Sequence, residues 1–153
     1  MFTSIVSLLI IALFVLLTTS AAPTSNTNIL VKRYTGVKIQ SYRDGLCLRP
    51  TGVRWGDGTQ VLSTTCDMGA LWDINPGSGS LVLSGTTLAL DAGTGTENKE
   101  IVKLWTSYPG LYQQTWYLTT DDRIAITGGN QCLDEGPDGP QTYQCTTGNT
   151  NQI

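Results

Sequence analysis

The sequence predicts an all-β domain built from three pseudo-symmetric repeats of about 43 residues. Leu46-Cys47-Leu48-Arg49, Leu88-Ala89-Leu90-Asp91 and Gln131-Cys132-Leu133-Asp134 superpose at steps of 42 and 43 residues. The turn Gln113-Gln114-Thr115-Trp116 has weaker copies in Ala70-Leu71-Trp72 and Asn151-Gln152-Ile153, in phase with that step. After Arg33 the chain is a series of short apolar segments between Gly-rich turns, with no window of helical apolar spacing. Units of this size cannot bury their own apolar face, so three of them imply a threefold assembly around one core.

Residues 1–22 are expected to be a cleaved secretory signal. Ile5 to Leu17 is an apolar run shorter than the roughly 20 residues a membrane span needs. Thr18-Thr19-Ser20-Ala21-Ala22 follows with small residues suited to signal cleavage. Residues 23–33 read as a short polar linker or pro-segment. It ends in Lys32-Arg33, a dibasic pair of the kind proprotein-processing enzymes cut. The remaining domain, 34–153, divides into repeats near 37–78, 79–121 and 122–153, and is long enough for one modest core.

Charge excludes some partners. Without Lys32 and Arg33 the domain carries seven basic and twelve acidic residues and no basic cluster. The footprint for nucleic acid or an anionic membrane is therefore missing. No histidine is present, so no Ser/His or Cys/His couple can be built. The mature chain is accordingly expected to be non-catalytic and to need no cofactor or metal. Asp121-Asp122 and Gly136-Pro137-Asp138-Gly139 read as turns, the latter lacking the ligand alternation of a calcium loop.

In a secreted chain, Cys47, Cys66, Cys132 and Cys145 are candidates for disulfides. Four cysteines allow three pairings. Pairing near neighbours, Cys47 with Cys66 and Cys132 with Cys145, closes short loops worth roughly 3 kcal/mol each in the chain-entropy model. Without Cys-x-x-Cys or histidine, zinc is not expected. No Asn-x-Ser/Thr sequon occurs.

The strands expected in order include Val37-Lys38-Ile39-Gln40, Leu81-Val82-Leu83, Ile101-Val102-Lys103-Leu104 and Ile124-Ala125-Ile126. Turns at Gly56-Asp57-Gly58, Pro76-Gly77-Ser78-Gly79 and Gly136-Pro137-Asp138-Gly139 punctuate them. Within each repeat, the Cys-Leu segment is followed by a second strand starting at Val61-Leu62, Ile101-Val102 or Gln141-Thr142-Tyr143.

The triplicated pattern of Cys-Leu-Asp, an aromatic two residues before a cysteine, and Gln-x-Trp resembles the ricin B-type lectin domain, a β-trefoil. The resemblance covers nearly all of 37–153. It implies a carbohydrate-binding protein, with glycans or glycoproteins of galactose type as partners. In such a domain each site combines an acid after the first Cys-Leu, a stacking ring on the second strand and an amide before the Gln of Gln-x-Trp. A carboxylate accepts hydrogen bonds from adjacent hydroxyls, while a ring covers the sugar's apolar face.

Mapped by motif, the third repeat offers Asp134, Tyr143 and the amides of Asn151 and Gln152. The second offers Asp91, Trp105 and Gln113, where the family more often has Asn. The first departs from the pattern, with Arg49 for the acid, Thr64 for the ring and Ala70 for the motif Gln, and reads as structural. The resemblance places Trp72 and Trp116 in the core and has Gln114 brace its own turn. Trp55 is either a turn plug or an exposed contact.

Two other classes compete with a lectin: a β-trefoil protease inhibitor acting through an exposed loop, and a trefoil with degenerate sugar sites that binds a protein. A chain ending at Ile153 also lacks the third motif tryptophan and its strand. That predicts an unpaired strand edge and a gap in the core, from a weakened third repeat or a truncated gene model.

Overall fold

The computed structural model describes residues 33–75 and 77–152. The expected signal segment, nearly all of the linker and Ile153 lie outside these. Among the described residues no helix is long and apolar enough to cross a membrane.

The described residues are all-β: eleven short strands and two single-turn 3-10 segments. The first unit holds β1 (Tyr34–Val37), β2 (Cys47–Pro50), β3 (Val61–Thr64) and β4 (Trp72–Ile74). The second holds β5 (Leu81–Leu83), β6 (Leu88–Asp91), β7 (Lys103–Thr106), the 3-10 turn Tyr112–Gln114 and β8 (Trp116–Leu118). The third holds β9 (Ile124–Ile126), β10 (Gln131–Gly136), β11 (Gly139–Gln144) and the 3-10 turn Thr150–Gln152. All pairings are antiparallel, as tight turns between short strands require.

Threefold symmetry appears directly in the register. Gln40 faces Cys47, Val82 faces Ala89 and Ala125 faces Cys132, one such pair in each unit. Each unit also projects a hairpin: β2–β3, β6–β7 and β10–β11. Cys47–Cys66 and Cys132–Cys145 are bonded, the near-neighbour pairing, and no cysteine is free. The middle hairpin has no such tie.

Inward residues repeat with the same phase. Leu48, Leu90 and Leu133 join Trp72, Trp116, Leu83 and Ile126 in one core, and both tryptophans are fully buried. Deleting a side chain of that size costs about 3–5 kcal/mol. The two indoles differ in one respect. Trp116 Nε1 donates to the Leu90 carbonyl at 3.0 Å, whereas Trp72 Nε1 is buried without a partner.

Two strands are displaced from their expected positions. β1 starts at Tyr34, and Gln40 makes only a bridge to Cys47. β7 begins at Lys103 rather than Ile101, because Asp91 pairs with Lys103 while Ile101 bridges Gln141 of the neighbouring hairpin.

One strand segment differs from its two counterparts among the described residues. Leu81–Leu83 lies against β4 and Ile124–Ile126 against β8. Among the described residues, the equivalent segment Ile39–Ser41 has no such neighbour. A cavity of about 70 Å³ opens there, walled by Ile39, Leu48, Ile124, Leu133 and Pro140. Asp134 and Asn151 also line it.

Candidate functional site

Two hairpins present an acid and a ring on one face. In an antiparallel pair, residues directly opposite share a face, as do positions two apart on one strand. In the second unit Asp91 faces Lys103 and Ala89 faces Trp105, so the acid, the lysine and the ring lie together. In the third, Asp134 faces Gln141 and Cys132 faces Tyr143. In the first, the same positions hold Arg49, Leu62, Cys47 and Thr64, with neither acid nor ring.

The second-unit candidates come together. Asp91, Trp105 and Gln113 line one cavity of about 230 Å³, together with Gly93, Lys103 and Leu111. Trp105 is 37% exposed, so its ring can meet a ligand, while Asp91 is buried at the floor. The carboxylate is fixed from below: Oδ1 accepts from Gly93 N–H at 2.9 Å and Oδ2 from Gln114 Nε2 at 3.0 Å. Gln114 also accepts from Tyr108 N–H at 2.9 Å and donates to the Thr106 carbonyl at 3.1 Å. A fully buried amide thus braces both its turn and the acid. Gln113 precedes it, and the Gln113 carbonyl accepts from Ala92 N–H at 3.0 Å, tying the turn to the end of β6.

In the third unit the pieces are distributed differently. Asp134 is buried, with Oδ1 accepting from Gln141 Nε2 at 3.1 Å and Oδ2 from Asn149 Nδ2 at 3.4 Å. Gln152, the counterpart of Gln114, accepts from Thr146 N–H at 2.9 Å and donates to the Gln144 carbonyl at 3.0 Å. Its amide is spent on the turn; it is buried and makes no bond to Asp134. Asn151 and Asp134 share the cavity beside Ile39, whereas Tyr143 is half-buried and stands outside its lining.

Beside Asp134, Glu135 accepts from Ser63 Oγ at 2.5 Å, and its own carbonyl accepts from Arg43 Nη1 at 2.5 Å. Burial raises its carboxyl above the ordinary range, and the negative charges of Asp44 and Asp134 add to this against Ser63 and Arg43.

Lys103, Gln141 and Asn149 are among the residues that hold or line these positions and were not singled out from the sequence. Lys103 and Gln141 each stand two residues before the ring, a shared spacing that could have found them. Asn149 occupies the place of Leu111, and so different a pair gives no pattern to follow. Trp55 is 43% exposed, with Nε1 at 3.4 Å from the Gly52 carbonyl, a contact within its own turn. Among the described residues no group of three or more Cys, Asp or Glu side chains could hold a metal ion.

Comparison with known proteins agrees with this fold. The family model for the ricin-type beta-trefoil lectin domain matches residues 35–153. Among solved structures, the designed threefold-symmetric protein ThreeFoil is similar, at 25% identity and a TM-score of 0.62. That match covers 75% of this chain and 92% of ThreeFoil. No curated protein sequence matches the chain.

Proposed function

Because the chain belongs to the ricin-type β-trefoil lectin domain family, a carbohydrate-binding one, we propose that it is a secreted, non-catalytic lectin for galactose-type sugars on glycans or glycoproteins. The observation that carries this reading is the cavity in which Asp91, Trp105 and Gln113 converge. Asp91 is held by donors on its inner side, leaving its remaining lone pairs for two adjacent sugar hydroxyls. Trp105 supplies the apolar face, and Gln113 an amide that both donates and accepts.

Asp134 and Asn151, with Gln152 bracing their turn and Tyr143 on the same hairpin outside their cavity, make up the second site of the reading. Shallow single sites bind weakly, and two on one chain act together on a dense glycan surface. The paired disulfides and the apolar leader support secretion.

A glycan array probed with folded protein tests this. Galactose-terminated glycans should be retained and released by free galactose. Retention of no glycan at all would sink the reading.

A further inference from the structure

Lys103 has no role in holding the fold that its surroundings explain. It stands opposite Asp91 and lines the same cavity, yet the two form no ion pair. Asp91 is already held by Gly93 N–H and Gln114. The nearby carboxylate of Glu100 is turned to the backbone N–H groups of Thr94 and Gly95. Asp57 is bonded to Thr106. The ammonium instead lies 5.4 Å from the centre of the Trp105 ring. A cation with no direct ion pair among the described residues is thus set over the ring and beside the acid of the proposed sugar pocket.

The same register position holds Leu62 in the first unit and Gln141 in the third. Gln141 is consumed by Asp134 at 3.1 Å. At this register position only the second-unit pocket therefore carries a cation, and no carboxylate among the described residues forms an ion pair with it. An ammonium offers three donors and no acceptor, and its hydration is lost as a ligand covers it. A neutral sugar compensates that loss poorly. A sulfate or carboxylate compensates it with charge-assisted hydrogen bonds.

We propose that the second-unit site selects acidic sugars, with Asp91 taking hydroxyls, Trp105 the apolar face and Lys103 an anionic substituent. This rests on the lectin reading above. The third-unit site, with Gln141, is neutral in preference.

The test isolates the second site in an Asp134→Asn background and follows the Trp105 indole N–H by NMR. The probes are galactose, galactose 6-sulfate, galacturonic acid and inorganic sulfate, at low and high salt. One of the two acidic sugars should bind about tenfold more tightly than galactose, as one added charge-assisted hydrogen bond gives. That preference should shrink in 500 mM salt, vanish in Lys103→Gln and reverse in Lys103→Glu. Which of the two binds separates sulfate from carboxylate as the recognised group. Equal binding of acidic and neutral sugars, or a preference surviving Lys103→Gln, would overturn this proposal and leave the lectin reading standing. Inorganic sulfate binding as tightly as the sulfated sugar would overturn it too, reducing the lysine to a bare anion site. If no sugar moves the indole signal of the folded protein, the lectin reading of this site fails and the proposal with it.

Discussion

Gln114 Nε2 lies 3.0 Å from Asp91 Oδ2, while its counterpart Gln152 makes no bond to Asp134 and turns its amide to the Gln144 carbonyl. The two sites therefore hold their acids by different means. In the second unit a buried amide locks the carboxylate from the motif turn. In the third, Gln141 holds it from the hairpin and Asn149 from the loop that follows β11.

Gln114→Ala should cost about 1–3 kcal/mol by leaving buried partners unsatisfied, and it should also weaken sugar binding at the second site by freeing Asp91. Gln152→Ala should lower stability with little direct effect on Asp134. Urea unfolding read beside sugar titration of each variant separates the two effects. Equal binding losses in both variants would contradict this division.

Asp91→Asn and Asp134→Asn should each remove one site and leave the other's affinity for free galactose unchanged. On a galactose-coated surface, each single variant should lose about a hundredfold in apparent affinity, the scale of avidity from a second linked site. The double variant should not bind. Surface plasmon resonance at low and high ligand density makes the comparison, and single variants as inert as the double would show that the sites are not independent.

Trp116→Phe should be more destabilising than Trp72→Phe by about 1 kcal/mol, because only Trp116 Nε1 has a hydrogen bond to lose. Both substitutions remove the same volume from fully buried positions. Thermal unfolding of the two variants side by side measures the difference, and Trp72→Phe proving the worse of the pair would contradict it.

Glu135 gives a pH signature. Its carboxyl is held above the ordinary 4.5, so the fold keeps a proton that the unfolded chain has released. The resulting stabilisation is complete below that ordinary value and is lost as pH rises through the raised one. Glu135→Gln should therefore gain stability relative to the native protein on going from pH 4 to pH 7. Denaturant midpoints at the two pH values test this, and a difference independent of pH would count against it.

The repeat step and the core were legible in the sequence because an inward residue must recur in every unit. Leu48, Leu90 and Leu133 do so, and Trp72 and Trp116 mark the closing strands. The acid and ring positions came from the family resemblance rather than from recurrence, and the hairpin register puts Asp91 and Trp105 on one face. What could not be read was set by contacts distant along the chain, between units or through a returning loop. Ile101 and Val102 look like the heart of a strand, but Ile101 bridges Gln141 of another hairpin and the ladder starts at Lys103. The Asn149 contact to Asp134 was hidden likewise, because it depends on how a loop folds back over β10.

The covalent ties fall unevenly on the two pockets. Cys132, directly opposite Tyr143, is bonded to Cys145, whereas Ala89, directly opposite Trp105, has no sulfur to offer. A thiol-rich medium therefore loosens the hairpin that carries Asp134 and Tyr143 and leaves the one carrying Asp91 and Trp105 untouched. On the proposed reading, reduction converts a two-handed glycan binder into a one-handed one, and crosslinking of cells or glycoproteins fades before sugar recognition does.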